Sequence, residues 1–191
     1  MTIRSFDLLR PRSLSEAVEM LAKHGDNARA LGGGTTLVIL MKQRALYYPY
    51  LVDLQTIPGL NEIKREPDGC AIGALATHRT VECSTLIREA FPVVADAFCQ
   101  IGNVRVRQTA SVGGNLAHGD YRLDPPRPFW CSARKSSIRS KGSRVIPLKN
   151  FSAASMKRPW NRPSSWSMSG FPLCRRIVER FTCAIYRVVG Q

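Results

Sequence analysis

Two glycine-rich stretches carry the residue types that could do chemistry in this chain. One is Gly32-Gly33-Gly34-Thr35-Thr36 with the apolar residues 37–41 behind it; the other is Ser111-Val112-Gly113-Gly114-Asn115. Adjacent glycines let a backbone turn through left-handed angles and approach a ligand closely. Successive N–H groups in such a turn form a concavity suited to an anion such as phosphate. The Ser111 hydroxyl and the Asn115 amide add donors to the second stretch. Near Gly32 the order is more telling: Ala28-Arg29-Ala30-Leu31 reads as a short strand, the glycines follow, and a helix then starts with Thr35 or Thr36 able to cap it. A helix start aims N–H groups and the positive end of the dipole at one point, where a pyrophosphate fits. A ligand-free strand-to-helix turn fits that motif by itself equally well.

Other chemistries find less support. After Asn115 come His118, Asp120 and Asp124. Two acids beside a glycine turn suit sugar or ring hydroxyls, and suit a solvated loop as well. No Ser/His/Asp or Cys/His arrangement of a nucleophilic catalyst stands out, so no acid–base catalyst is assigned. The six cysteines (Cys70, Cys83, Cys99, Cys131, Cys174, Cys183) include no CxxC pair, which argues against zinc and iron–sulfur sites. Asp53 lies about 20 residues past the first glycines, where a Rossmann site places its ribose acid. However, Gly32-x-Gly34-x-x-Leu37 puts leucine where the third glycine belongs. No Gly-Lys-Ser/Thr follows either, which disfavours a nucleoside-triphosphate loop.

These loops need elements to hold them. Ser13-Leu14-Ser15-Glu16 reads as a capping box, with Leu14, Ala17, Val18 and Leu21 at helical spacing and Gly25 as the stop. Tyr50-Leu51-Val52-Asp53-Leu54 is a strand, and residues 70–75 are another. Thr77 or Thr80 starts a helix through Glu82 and Leu86. Pro92 opens a further helix, whose apolar face is Val93, Val94, Ala97, Phe98 and Ile101 and which packs on a sheet. It delivers the chain to Gly102-Asn103 and the second glycine stretch.

Charge divides the chain. The formal net charge is +14, yet residues 1–126 contribute only +1 and residues 127–191 contribute +13, with Glu179 the sole acid there. All three tryptophans (Trp130, Trp160, Trp166) also lie in that last third. Residues 1–12 lack an apolar run of signal-peptide length, and no stretch approaches the ~20 apolar residues of a membrane span. The expected location is cytoplasmic, with no membrane partner.

Taken as an ordered set, the pieces resemble the flavin-binding medium subunit of the molybdenum hydroxylases, the carbon monoxide dehydrogenase and xanthine dehydrogenase type with a PCMH-type FAD domain. The resemblance runs over residues 3–126. It is carried by the opening from Phe6 with its Ser-x-x-Glu helix, by Ala30-Leu31-Gly32-Gly33-Gly34-Thr35-Thr36-Leu37, and by Leu51-Val52-Asp53-Leu54. Ile72-Gly73-Ala74-Leu75-Ala76-Thr77 with Glu82, and Ile101-Gly102-Asn103 through Asn115, complete it. The resemblance implies that both loops, residues 30–37 and 111–115, hold FAD, and that Asp124 contacts it. It also implies electron relay: a molybdenum-cofactor large subunit oxidises substrate, an iron–sulfur small subunit passes electrons on, and FAD delivers them to an acceptor such as NAD.

The implied fold is α+β. A small N-terminal α/β lobe (1–56) precedes a second lobe (57–175) with a mainly antiparallel sheet, followed by a remnant tail (176–191). The family's C-terminal subdomain is expected to be missing. After residue 126 the family pattern breaks, returns at Gly142-Ser143-Arg144-Val145-Ile146-Pro147 and again near Tyr186-Arg187-Val188-Val189-Gly190. That alternation is what a partly out-of-frame segment would give. The alternatives are an unstructured tail or a basic nucleic-acid-binding tail with interleaved aromatics. The last is disfavoured because the arginines show no repeat. A nicotinamide-binding Rossmann protein, disfavoured by Leu37, is the remaining alternative for the body.

Overall fold

The computed structural model describes residues 3–67 and 69–118 with their side chains, and the backbone of residues 133–140, 142–146 and 184–189. A first sheet is made of β1 (Asp7–Leu9), β2 (Ala28–Leu31) and β3 (Tyr50–Asp53). Its order is β1-β3-β2 and both pairings are parallel. Parallel neighbours need crossovers, and helices α1 (Leu14–His24) and α2 (Thr35–Lys42) supply them. The Ser13 hydroxyl accepts the Glu16 N–H at 3.2 Å, as the capping box requires. The Glu16 carboxylate reaches one residue further back than expected, accepting the Arg12 N–H at 2.6 Å. Gly25 ends α1 at φ +53°. Ala17 and Leu21 then pack with Ala28, Ala30, Val52 and Leu54 under the sheet.

The second sheet is antiparallel, as expected, with strand order β4-β5-β8-β6-β7. Its strands are β4 (Ile63–Glu66), β5 (Gly69–Gly73), β6 (Ala133–Ser140), β7 (Gly142–Ile146) and β8 (Ala184–Val189). Strand β8 comes from the segment set apart above as a remnant, yet it lies between β5 and β6, with Ile72 opposite Tyr186 and Ser136 opposite the same residue. Three strands of this sheet therefore follow residue 126, where the family pattern breaks.

Between β5 and β6 run α3 (His78–Cys83), α4 (Thr85–Ala90), α5 (Pro92–Cys99), α6 (Val104–Thr109) and α7 (Val112–His118). The single helix expected from Thr77 to Leu86 is two. Thr77 caps α3 by accepting the Thr80 N–H at 3.0 Å, and Ser84 restarts the chain as cap of α4, accepting Ile87 N–H at 3.3 Å. Two competent caps within one expected helix are the reason for the break. In α5, Pro92 occupies the first turn as expected. Its buried face is Val94, Ala95 and Phe98, whereas Val93 is 68% exposed. Val81, Ile87, Val94, Phe98, Val112 and Leu116 close one core over Cys70 and Ile72 of the second sheet. Among the described residues no helix is long and apolar enough to cross a membrane.

Candidate functional site

The first glycine stretch does what its order suggests. Ala30 and Leu31 end β2, and Gly32, Gly33 and Gly34 form the loop into Thr35, Thr36 and Leu37 at the start of α2. The helix is not capped by either threonine, contrary to expectation. Gly34 is the N-cap at φ +72°, with no side-chain hydrogen bond to it. Left-handed backbone excludes the threonines from that position and explains the glycine. The first intrahelical bond is Val38 N–H to Gly34 C=O at 2.8 Å. The N–H groups of Thr35, Thr36 and Leu37 therefore have no intrahelical acceptor. A side-chain strut fixes the loop from below: Gln55 Nε2 donates to the Gly32 carbonyl at 2.8 Å. Asp53, which a Rossmann site would turn toward a ribose, caps the 3-10 turn after β3 by accepting the Gln55 N–H at 3.0 Å.

The second stretch is built differently. Gly113 and Gly114 do not make a left-handed turn; they lie in α7, and neither has positive φ. Their N–H groups are already satisfied. Val112 N–H donates to Ala76 C=O at 3.0 Å, Gly113 N–H to Ala74 C=O at 2.7 Å and Asn115 N–H to Ser111 C=O at 3.0 Å. Gly114 N–H donates to the Ser111 hydroxyl at 3.2 Å. The stretch is thus laced onto residues 74–77, an arrangement completed by the antiparallel bridge between Thr77 and Ser111. Gly113 is glycine because a Cβ there would lie 2.7 Å from the Ala74 carbonyl oxygen. The expected nest of N–H donors is replaced by one acceptor: Asn115 Oδ1 is buried and has no hydrogen-bond partner.

The two stretches meet. A Cβ on Gly33 would overlap the Thr109 carbonyl oxygen and come within 2.9 Å of Ala110 Cα. Only a glycine lets the first loop lie flush on the backbone that leads into Ser111. Asp120 and Asp124 lie outside the described residues.

Two features beneath this junction were not legible beforehand. Glu82 is 4% exposed and sits among arginines. Arg107 Nε donates to its Oε2 at 2.9 Å and Arg79 donates to Oε1 at 2.6 Å. Burial pushes the Glu82 carboxyl up, but the Arg107 hydrogen bond and the charges of Arg107 and Arg79 outweigh it, so its pKa is lowered. His78, 1% exposed, packs its ring edge-on to Phe98 at 4.9 Å. Neither ring nitrogen has a hydrogen-bond partner. Burial lowers its pKa to about 4, opposed by the nearby Ser111 backbone and aided, to a smaller degree, by the Arg107 charge.

A histidine kept neutral by folding contributes stability above its unfolded pKa near 6.5 and loses it as pH falls toward the folded value. The loss between pH 6.5 and 4 should reach about 3 kcal/mol. His78→Leu should flatten that part of a urea-unfolding profile. An unchanged acid slope in the variant would show that His78 does not cause it.

These residues fit FAD. The opening of α2 offers an anion N–H groups that have no intrahelical acceptor. The unpartnered Asn115 oxygen has the right chemistry for a hydroxyl or N–H of the same molecule. No group of three or more His, Cys, Asp or Glu side chains able to hold a metal occurs among the described residues.

Comparison with known proteins agrees. The model of the family described as "FAD binding domain in molybdopterin dehydrogenase" matches residues 4–162. That match extends past residue 126, where the sequence alone showed the family pattern breaking. The carbon monoxide dehydrogenase medium chain of Afipia carboxidovorans is 32% identical over 148 residues, 77% of this chain and 51% of that one. The 6-hydroxypseudooxynicotine dehydrogenase complex subunit alpha of Paenarthrobacter nicotinovorans is 34% identical over 146 residues, 76% of this chain and 49% of that one. Among solved structures, a Cu,Mo-CO dehydrogenase chain superposes with TM-score 0.80 at 28% identity, covering 100% of this chain and 62% of its own. The chain spans about half the length of these curated relatives. It belongs to the family of FAD-binding domains of molybdopterin dehydrogenases, whose cofactor is FAD.

Proposed function

We propose that this chain holds FAD as the electron-transfer subunit of a molybdenum-containing hydroxylase or dehydrogenase. The observation that carries the reading is the start of α2, a glycine-capped helix whose first N–H groups have no intrahelical acceptor, pressed against the backbone before Ser111. In this reading Gly32, Gly33, Gly34, Thr35, Thr36 and Leu37 seat the diphosphate, with Ala30 and Leu31 as the strand end beneath. Ser111, Val112, Gly113, Gly114 and Asn115 close the other side, chiefly through the Asn115 side chain. Asp124 is a further contact. Residues 1–56 form one lobe beside the cofactor, and the second lobe, which begins at residue 57, includes β8 in its sheet.

Bound FAD supplies the redox chemistry, and the protein supplies orientation and electrostatics. The partners proposed are a molybdenum-cofactor large subunit and an iron–sulfur small subunit, with an acceptor such as NAD, in the cytoplasm. The relatives' names, a medium chain and a complex subunit, support a role within an assembly.

The test is reconstitution. Purified chain incubated with FAD and desalted should show the oxidised-flavin bands and release FAD on denaturation. A chain that is folded by circular dichroism yet retains no flavin would overturn the reading.

Gln55→Ala provides a finer check on the first loop. Loss of the hydrogen bond from Gln55 to the Gly32 carbonyl is expected to weaken FAD binding by about fivefold, the equivalent of about 1 kcal/mol. Wild-type affinity in a fluorescence titration would show that the strut does not position the loop.

A further inference from the structure

We infer that the buried pair Glu82–Arg107 is a positioning device for the cofactor site: it sets where α6 ends, and so where Thr109 and Ala110 meet the first glycine loop. This inference rests on the FAD reading above.

Helix α6 is six residues long. A helix that short has little stability of its own, so its placement is decided by its anchors. Those anchors converge on α3. Arg107 Nε binds Glu82 Oε2 at 2.9 Å, and the same guanidinium donates through NH1 to the carbonyls of Ile101 at 3.1 Å and Gly102 at 3.2 Å. One side chain thereby ties α3, the Gly102 turn and α6 together. The Glu82 end is fixed in turn: Arg79 occupies its other oxygen, and Arg88 Nε donates to its backbone carbonyl at 2.7 Å. Where α6 ends, His78 N–H donates to the Ala110 carbonyl at 3.0 Å, again from α3.

Two residues after Arg107, the Thr109 carbonyl lies where a Cβ of Gly33 would be. No slack separates the two backbones. A tilt of α6 therefore either presses on the glycine loop or opens a gap beside it, and in both cases the N–H groups at the start of α2 are displaced. Glu82 and Arg107 are placed to act through this path rather than by touching FAD.

The experiment compares three variants of the full chain, each checked by circular dichroism at a temperature well below its Tm. Glu82→Gln removes the charge and Arg107→Lys keeps it but loses the forked hydrogen bonding. Ile87→Ala destabilises the same core from α4, away from the path to Gly33. FAD dissociation constants are read from flavin fluorescence, with the circular dichroism of the bound flavin as a second signal. Glu82→Gln and Arg107→Lys should each bind FAD about tenfold more weakly and alter the flavin signal, whereas Ile87→Ala should bind as wild type. If Glu82→Gln does not fold, Arg107→Lys decides the comparison. Affinity within twofold of wild type in the folded pair variants, or an equal loss in Ile87→Ala, would overturn the inference while leaving the FAD reading standing. A wild-type chain that binds no FAD would overturn both.

Discussion

Gly33→Val is expected to strip the chain of FAD and to lower its stability. The added Cβ would collide with the Thr109 carbonyl oxygen and carbon and with Ala110 Cα, all backbone atoms that cannot swing aside. Overpacking that forces backbone shifts costs about 1–3 kcal/mol, and this collision belongs at the upper end. If most of it is taken by separating the two stretches, FAD affinity falls roughly 100-fold. The clash begins at Cβ, so Gly33→Ala should show most of the same loss. Gly34→Ala gives the contrast. There the new Cβ would lie 3.0 Å from the movable end of Leu31, and the cost is chiefly that of the left-handed backbone at φ +72°, about 1 kcal/mol. Flavin content after gel filtration, measured beside Tm, decides the matter. A Gly33→Ala chain with full flavin content and wild-type Tm would show that the contact is not tight in solution.

Arg107→Ala is the second large effect. It leaves the Glu82 carboxylate buried with Arg79, itself 42% exposed, as its remaining charged partner among the described residues. Removing one partner of a buried ion pair costs about 3–5 kcal/mol, which in a chain of this size lowers Tm by roughly 10 °C. Replacing both charges, as in Glu82→Leu with Arg107→Met, should cost much less than the sum of the single changes, because no buried charge is then stranded.

The pH dependence carries its own sign. In the wild type the Glu82 pKa is depressed by folding. The pair therefore stabilises fully above the unfolded value, about 4.3, and its contribution is lost as pH falls through the folded value. In Arg107→Ala, burial without its main partner favours the protonated acid, so the deficit should shrink as pH is lowered toward 4. Urea unfolding at pH 7 and pH 4.5 reads this directly. A deficit that stays constant with pH would show that it is not electrostatic.

Much of the first lobe was legible because local signals and tertiary packing agree there. Ser13 announces α1, Ala28 to Leu31 is β2, and three glycines precede α2. The cap differs from expectation: Thr35 and Thr36 carry the usual capping hydroxyls, but the loop needs left-handed backbone at Gly34, and that need prevails. At Gly113-Gly114 the error has another cause. Paired glycines signal a turn when read alone; here Gly113 permits close packing on Ala74, a neighbour 39 residues away in sequence. Periodicity could not have shown α6, since six residues span under two turns. The Glu82–Arg107 pair bridges 25 residues, and no local signal reports such a contact. Nor did sequence pattern show that β8 would lie beside β5.

In the proposed site the N–H groups opening α2 hold the FAD diphosphate, while the second stretch, its own N–H groups already bonded, contributes side chain and shape. Amide hydrogen exchange with and without FAD tests this most directly. The prediction is strong slowing at residues 34–37 on FAD binding, with little change at residues 112–115. Bound FAD that leaves exchange at residues 34–37 unaltered would contradict it.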